Sequence, residues 1–252
     1  MSKNTVERFS NRVENYVKYR PHYPNEVLQL FQAEMNLQTS SVVADVGSGT
    51  GISARMFLEN GNRVFGVEPN AAMRAAAEKI LCEFSNFQSI DGTSDATTLD
   101  AESVDFVVAA QAFHWFDKTK TRAEFKRILK QNSFVALVWN ERQLDTNEFL
   151  RAYENFIIKF GTDYEQLRHD NIDENILKDF FQTDFRRATF QNVQTLDFAG
   201  LKGRLLSSSY MPTEENSAYE TMIKELKDLF ADYAKNDRIN ILYDTNVFYA
   251  RI

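Results

Sequence analysis

Three glycines within five residues, Gly47, Gly49 and Gly51, punctuate a 252-residue chain that holds only nine glycines and four prolines. They follow the apolar run Val42-Val-Ala-Asp-Val46 and precede Ile52-Ser-Ala-Arg, so a buried strand, a sharp turn and a helix start stand in immediate succession. Glycine tolerates positive φ and lets a backbone approach a ligand closely, while the free N–H groups of a helix start face the same space. The spacing is G-x-G-x-G. A dinucleotide loop has G-x-G-x-x-G, and here Ile52 stands where its last glycine belongs. A tight turn that binds nothing is the plain alternative for so short a pattern.

Around this loop, strands and helices alternate. Strands are predicted at Val42–Val46, Arg63–Val67, Phe87–Ile90, Val104–Ala110 and Phe134–Trp139. Helices are predicted over 52–59, 71–82 and 120–129, preceded by an amphipathic helix through Val6, Phe9, Val13, Tyr16 and Val17 and another over Asn25–Met35. Such alternation at short spacing predicts an α/β fold with a parallel sheet covered on both faces and right-handed crossovers. Beyond Asn140 the rhythm changes. Phe149, Tyr153, Phe156, Ile157 and Phe160 form one helical stripe and Met222, Leu226, Leu229, Phe230 and Tyr233 another, both expected to be core. Phe185 to Phe198 and Ile239 to Ile252 read as two further strands, with an irregularity expected at Asp244-Thr245.

No Pro/Gly/Ser-rich linker, fixed-period repeat or low-complexity tract divides the chain. With 29 Lys+Arg against 36 Asp+Glu, the formal charge is −7, and no Lys/Arg block suggests a nucleic-acid or membrane partner. The polar start MSKNTVERFS lacks the form of a signal peptide, and no apolar run reaches the roughly 18 residues of a membrane span. Cys82 is the sole cysteine and is expected to be a buried helix residue. No His/Cys cluster suggests a metal. A cytoplasmic protein, monomeric or homodimeric, is the expectation.

The second strand ends in Glu68, 17 residues past Gly51. The ends of the first two strands are neighbours in a doubly wound sheet, so this carboxylate can accept hydrogen bonds from the hydroxyls of a ribose held over the glycine loop. An ordinary surface acid is the alternative.

Asp45-Val-Gly-Ser-Gly-Thr-Gly51, Gly66-Val-Glu-Pro-Asn70 with Met73, and Ala110-Gln-Ala-Phe-His-Trp-Phe-Asp117 occur in this order. Together they resemble the class I S-adenosylmethionine-dependent methyltransferases. Tyr16-x3-Arg20-Pro-x-Tyr-Pro24, Trp139-Asn-x-Arg142 and Gly200-Leu-x-Gly-Arg-x2-Ser-Ser-Ser-Tyr-x-Pro212 are more closely similar to the small-molecule branch that includes trans-aconitate methyltransferase. The resemblance covers nearly the whole chain. It implies a Rossmann-like seven-stranded sheet in the order 3-2-1-4-5-7-6, with strand seven antiparallel, forming one domain over 1–252. Residues 1–36 would be an N-terminal helical cap, and 146–182 and 213–235 a helical cover over the acceptor pocket.

Carried over to this sequence, the resemblance gives Asp45, Gly47, Ser48, Gly49 and Gly51 to the methionine part of S-adenosylmethionine, and Glu68 to its ribose hydroxyls. Pro69, Asn70 and Met73 would line ribose and adenine, Ser94 or Asp95 would lie near the adenine amino group, and Gln111 near the sulfonium. S-adenosylhomocysteine would be the product. A small-molecule acceptor carrying a carboxylate or hydroxyl would meet Arg20 and Tyr16, with Tyr23, Trp115, Trp139, Arg142 and Tyr210 around it. His114 is the candidate base for a hydroxyl, with His22 and His169 weaker ones. The abundant Phe and Tyr in the covers suggest an acceptor with apolar parts. A non-catalytic cofactor-binding protein and a nicotinamide-dependent oxidoreductase are the alternatives; a nucleic-acid methyltransferase fits less, since Ala109-Ala-Gln-Ala112 stands where an Asn/Asp-Pro-Pro-Tyr signature would be.

Overall fold

The computed structural model describes residues 13–162, 164 and 173–252. Seven strands, β1 (Val42–Val46), β2 (Arg63–Val67), β3 (Phe87–Ile90), β4 (Val104–Ala110), β5 (Leu129–Arg142), β6 (Arg186–Leu196) and β7 (Ile239–Arg251), form one sheet in the order β3-β2-β1-β4-β5-β7-β6. β1 to β5 pair in parallel, and β7 runs antiparallel to both β5 and β6. This is the α/β architecture and strand order expected from the sequence.

The helices are α1 (Val13–Tyr19), α2 (Asn25–Met35), α3 (Ile52–Glu59), α4 (Ala71–Ile80), α5 (Lys118–Ile128), α6 (Glu148–Phe160), α7 (Glu174–Phe181), α8 (Phe198–Leu206) and α9 (Tyr219–Tyr233). Local chemistry starts them. The side chains of Asn70, Asp117, Asn147, Asp173 and Asp197 accept hydrogen bonds from free backbone N–H groups at the starts of α4, α5, α6, α7 and α8. Each such cap contributes about 1 kcal/mol. Val6 and Phe9 of the expected first helix lie outside the described residues, as does His169.

Parallel strands demand apolar cover on both faces. On one face Val43, Val64, Phe106 and Val108 pack under Phe31 and Phe57, whose rings meet edge to face at 5.1 Å. On the other, Val46, Val107, Leu137 and Trp139 pack with Phe113, Phe125, Phe180 and Phe181. A third core joins Phe149, Tyr153, Phe156 and Ile157 of α6 to Met222 and Leu226 of α9, Leu201 and Leu205 of α8, and Ile241 and Tyr243 of β7. Complete burial of one such side chain is worth about 1.5–3 kcal/mol. The two aromatic stripes are therefore core, as their periodicity suggested, and they supply no evidence of an apolar acceptor.

Several expectations need correction. Asp244 and Thr245 pair in unbroken register with Glu141 and Asn140, so β7 has no irregularity there. β5 begins at Leu129 rather than Phe134, and its pairing with β4 shifts register between Val104 and Phe106. Cys82 is exposed and lies past the end of α4. Helix α8 was not among the helices read from the sequence, and Gly200 and Gly203 lower the helix propensity there. Gly203 is instead where Tyr19 crosses the helix; a Cβ there would lie 2.1 Å from the tyrosine ring. α1 consequently lies against α8.

Candidate functional site

The carboxyl ends of β1, β2, β4 and β5 open on the same edge, and β1 and β4 diverge where the strand order reverses, the place at which open α/β sheets bind ligands. Three backbone twists build the floor: Gly47, Gly49 and Gly51 have φ of 73°, 55° and 85°. They serve different ends. A Cβ on Gly47 would meet Ala112 at 2.6 Å and one on Gly51 would meet Leu81 at 2.5 Å, whereas one on Gly49 would enter open space. Gly49 is the point where the loop leaves room for a ligand.

Glu68 closes the loop from β2. Its two carboxylate oxygens accept from Gly49 N–H at 3.0 Å and Asn70 N–H at 2.8 Å, and Gly47 N–H donates to the Val67 carbonyl at 2.8 Å. The loop and the acid are thus directly bonded to each other, and each oxygen keeps a lone pair. Burial raises the Glu68 pKa above the usual carboxylate range, partly offset by those two amides. Asp45, on β1, is buried; Oδ2 accepts from Ser53 Oγ at 2.6 Å and Oδ1 has no partner. Desolvation pushes its pKa up to about 7, against hydrogen bonds that lower it. Gln111, at the end of β4, holds φ 56°, donates to the Asn140 carbonyl at 3.1 Å, and leaves Oε1 buried without a partner. Strain of this kind costs about 1–3 kcal/mol and persists where the surroundings impose it.

Pro69, Asn70 and Met73 follow Glu68 at the start of α4, with Asn70 committed to capping it. Ser94 is buried and accepts from Thr121 Oγ1 at 2.8 Å, while Asp95 is exposed. Of the two, Ser94 is the one that faces inward.

Beside this floor lies a cavity of about 270 Å³, whose walls include Tyr16, Arg20, Tyr23, Gly47, Ser48, Gln111, His114, Trp115, Arg142 and Tyr210. The sequence had proposed all ten. The Arg20 guanidinium stacks on Tyr16, 4.8 Å from its ring centre, and donates from Nη2 to the Ser207 carbonyl at 2.9 Å. Burial, then repulsion by Arg204, lowers its pKa. The segment around it is fastened to the sheet by amides: Asn140 and Asn192 donate to the His22 carbonyl at 3.2 and 2.8 Å, and Gln194 to the Tyr19 carbonyl at 2.8 Å. Asn140 Oδ1 in turn accepts from Thr245 Oγ1 at 2.5 Å.

Other proposed residues stand elsewhere. Trp139 does not line the cavity; it is 2% exposed, edge-on to Phe113 at 6.1 Å and Phe248 at 5.8 Å in the sheet core. His22 is exposed and outside the cavity wall. Arg142 lines the cavity, but its charge is balanced by a hydrogen-bonded ion pair with buried Glu154, joined by Tyr164. Of the expected covers, residues 213–235 contribute nothing to the cavity wall and 146–182 contribute only Tyr164 among the described residues. α9 buttresses α6 and α8 instead.

Missed were, among others, Arg204 on α8, Tyr243 on β7, and Asn140 and Glu141 on β5, all in the wall. Arg204 and Asn140 stood inside quoted motifs, which was the available signal; Tyr243 sits in a strand with no motif. Among the described residues no three His, Cys, Asp or Glu side chains converge as metal ligands would, and no helix is long and apolar enough to cross a membrane.

Residues 44–137, which hold the glycine loop, Glu68 and Gln111, match the family described as "Methyltransferase domain". Over these residues the chain is similar to a methyltransferase domain. The chain is 26% identical over 247 residues to a methyltransferase-like protein of Schizosaccharomyces pombe, an alignment covering 96% of this chain and 94% of that one. It is 33% identical over 138 residues to a methyltransferase of Mycobacterium tuberculosis, covering 53% of this chain and 52% of that one, and so spans about half the length of that relative. Among solved structures, a type II methyltransferase from Anaeromyxobacter dehalogenans superposes with a TM-score of 0.71 at 19% identity, covering 92% of this chain and 98% of that one. Phosphoethanolamine N-methyltransferase 2 of Haemonchus contortus in complex with S-adenosyl-L-methionine superposes with a TM-score of 0.54 at 16% identity, covering 99% and 57%. These likenesses establish the fold. The sheet extends past the matched residues through β6 and β7, and Arg20, Arg204 and Tyr210 reach the cavity from outside residues 44–137.

Proposed function

We propose that the protein is an S-adenosylmethionine-dependent methyltransferase whose acceptor is a small molecule methylated at an oxygen, a carboxylate before a hydroxyl. The observation that carries the donor half is the bond from Gly49 N–H to Glu68 beside open space at Gly49. That cleft fits a nucleoside: Glu68 offers lone pairs to the ribose hydroxyls, and the partnerless Asp45 Oδ1 and Gln111 Oε1 offer acceptors to the ammonium of the methionine part. Gly47, Ser48 and Gly51 shape the turn, Pro69, Asn70 and Met73 lie toward the base, and buried Ser94 is better placed than exposed Asp95 to meet it.

S-adenosylmethionine supplies a methyl already activated on a sulfonium. Attack by a carboxylate oxygen forms the C–O bond as the C–S bond breaks, leaving an ester and S-adenosylhomocysteine. What the protein contributes is alignment, an entropic gain of roughly 7–11 kcal/mol in favourable cases. Arg20, Tyr16, Tyr23 and Tyr210 orient the acceptor with charge-assisted and hydroxyl hydrogen bonds, and Trp115 forms the apolar wall. A carboxylate is already ionised at neutral pH, so the ester-forming reaction makes no demand on a base. His114, packed 4.6 Å from Trp115, takes that part only for a hydroxyl acceptor.

The test is transfer of a labelled methyl to a panel of organic acids, alcohols and phenols. Acids should accept it and Arg20→Ala should lose that activity while keeping affinity for S-adenosylhomocysteine. Transfer confined to amines or thiols would overturn the oxygen acceptor.

A further inference from the structure

Arg204 is a third cation in the cavity wall, beside Arg20 and Arg142, and the proposed reaction makes no use of it. It reaches the wall from α8, donating from Nε to Tyr243 Oη at 3.2 Å and from Nη1 to Ser208 Oγ at 3.1 Å. Arg20 donates to the carbonyl of the adjacent residue, Ser207. Two guanidiniums therefore hydrogen-bond to one turn at the end of α8, and the charge on Arg204 works against that on Arg20.

Among the described residues no carboxylate pairs with them, whereas Arg142, on the same wall, is balanced by Glu154. Neutral hydroxyls of Tyr16, Tyr210 and Tyr243 surround them instead. Arg20 Nε is buried with no hydrogen-bond partner, and the hydrogen bonds of Arg204 leave its Nη2 unused. Like charges brought together out of water are unfavourable unless an anion completes the set, and a guanidinium fork matches a carboxylate in shape and donor spacing.

We infer that Arg204 is a specificity-determining residue of the acceptor site: with Arg20 it grips a carboxylate of the acceptor, and Tyr243 and Ser208 position it for that task. This deepens the methyltransferase reading and rests on it for the word acceptor, but the anion site itself is measurable without the cofactor. Arg142, already paired, takes no share of the acceptor's charge. The acceptor class is narrowed to organic acids, and neutral alcohols and amines are excluded.

Benzoate is the probe, with benzamide as its uncharged isostere, titrated calorimetrically into the full chain. Benzoate should bind at least about tenfold more tightly than benzamide, and Arg204→Gln should remove that difference, the loss of one charge-assisted contact being roughly 10- to 100-fold. Arg204→Lys should restore part of it, and Tyr243→Phe, which keeps the ring but loses the aligning hydroxyl, should weaken benzoate a few-fold. S-adenosylhomocysteine binding should be unchanged in all three variants. Equal binding of benzoate and benzamide by the wild type, no detectable benzoate binding, or full benzoate affinity in Arg204→Gln would overturn the assignment. Failure of S-adenosylhomocysteine to bind the wild type, with its benzoate preference intact and lost in Arg204→Gln, would instead sink the donor reading and leave the anion site standing.

Discussion

The floor of the site and its far wall are made of different materials. At the floor, backbone does the positioning: three positive-φ glycines and a strand-end acid bonded to their amides, with the carboxylates of Asp45 and Glu68 as its charges. At the far wall, side chains do it, drawn from α1, β5, α8 and β7; Glu141 is among them, and Arg20 and Arg204 are cations there that form no ion pair among the described residues. The floor thus suits hydroxyls and an ammonium, and the wall an anion. A backbone site tolerates almost no substitution where the chain turns, while a side-chain site can be retuned residue by residue, which is how one donor fold serves many acceptors.

The sharpest way to break this contrast is within the glycine loop. Gly51→Val combines a positive φ with a clash on Leu81 and should cost about 2–5 kcal/mol of stability, read as a lowered denaturant midpoint. Gly49→Val, at open space, should pay only the backbone strain of about 1–2 kcal/mol yet lose S-adenosylhomocysteine affinity by about 100-fold. If the two behave alike, Gly49 does not face the ligand.

Next in size is Glu154→Gln. It leaves Arg142 charged and uncompensated beneath the cavity and should destabilise the fold by about 3 kcal/mol with no change in cofactor affinity. Loss of cofactor binding in the folded variant would mean that floor and wall are not separable.

A smaller effect follows from pH. Asp45 titrates near 7 against an ordinary value of 3.8, so the folded chain holds this proton more tightly than the unfolded one. Its ionised form is a burden on stability that is complete above pH 7 and relieved as pH falls toward 4. The cofactor's ammonium favours that ionised form, so affinity should rise several-fold between pH 6 and pH 8, and Asp45→Asn should flatten the curve. Glu68 and Tyr23 also face Asp45, and the Asn variant separates its titration from theirs. The smallest effect expected is at Asp95→Asn: this exposed side chain should change cofactor affinity less than about twofold, within the range of ordinary surface substitutions.

The same division decides what could be read in the sequence. The floor is contiguous: Asp45 to Gly51 is one strand, one turn and one helix start, and Glu68 follows at the next strand end, so local rules sufficed. The alternation that announces a parallel sheet is local too. The wall is assembled from residues 16 to 243, and no period links Arg20 to Tyr243. Arg204 sits on α8, outside the helices read from the sequence; Gly200 and Gly203 weaken its helical signal, and Tyr19 packs where Gly203 has no Cβ. Trp139 faces the sheet core, and the three residues after it, Asn140, Glu141 and Arg142, are the ones that reach the cavity. Cys82 looked buried because it continued the helical pattern of α4, which stops at Ile80.

Titration of S-adenosylhomocysteine into the wild type, Glu68→Ala and Arg204→Gln tests the central division most directly. Binding by the wild type, a loss of at least about tenfold in Glu68→Ala, and wild-type affinity in Arg204→Gln are the outcomes this geometry requires. Undiminished binding in Glu68→Ala would contradict it.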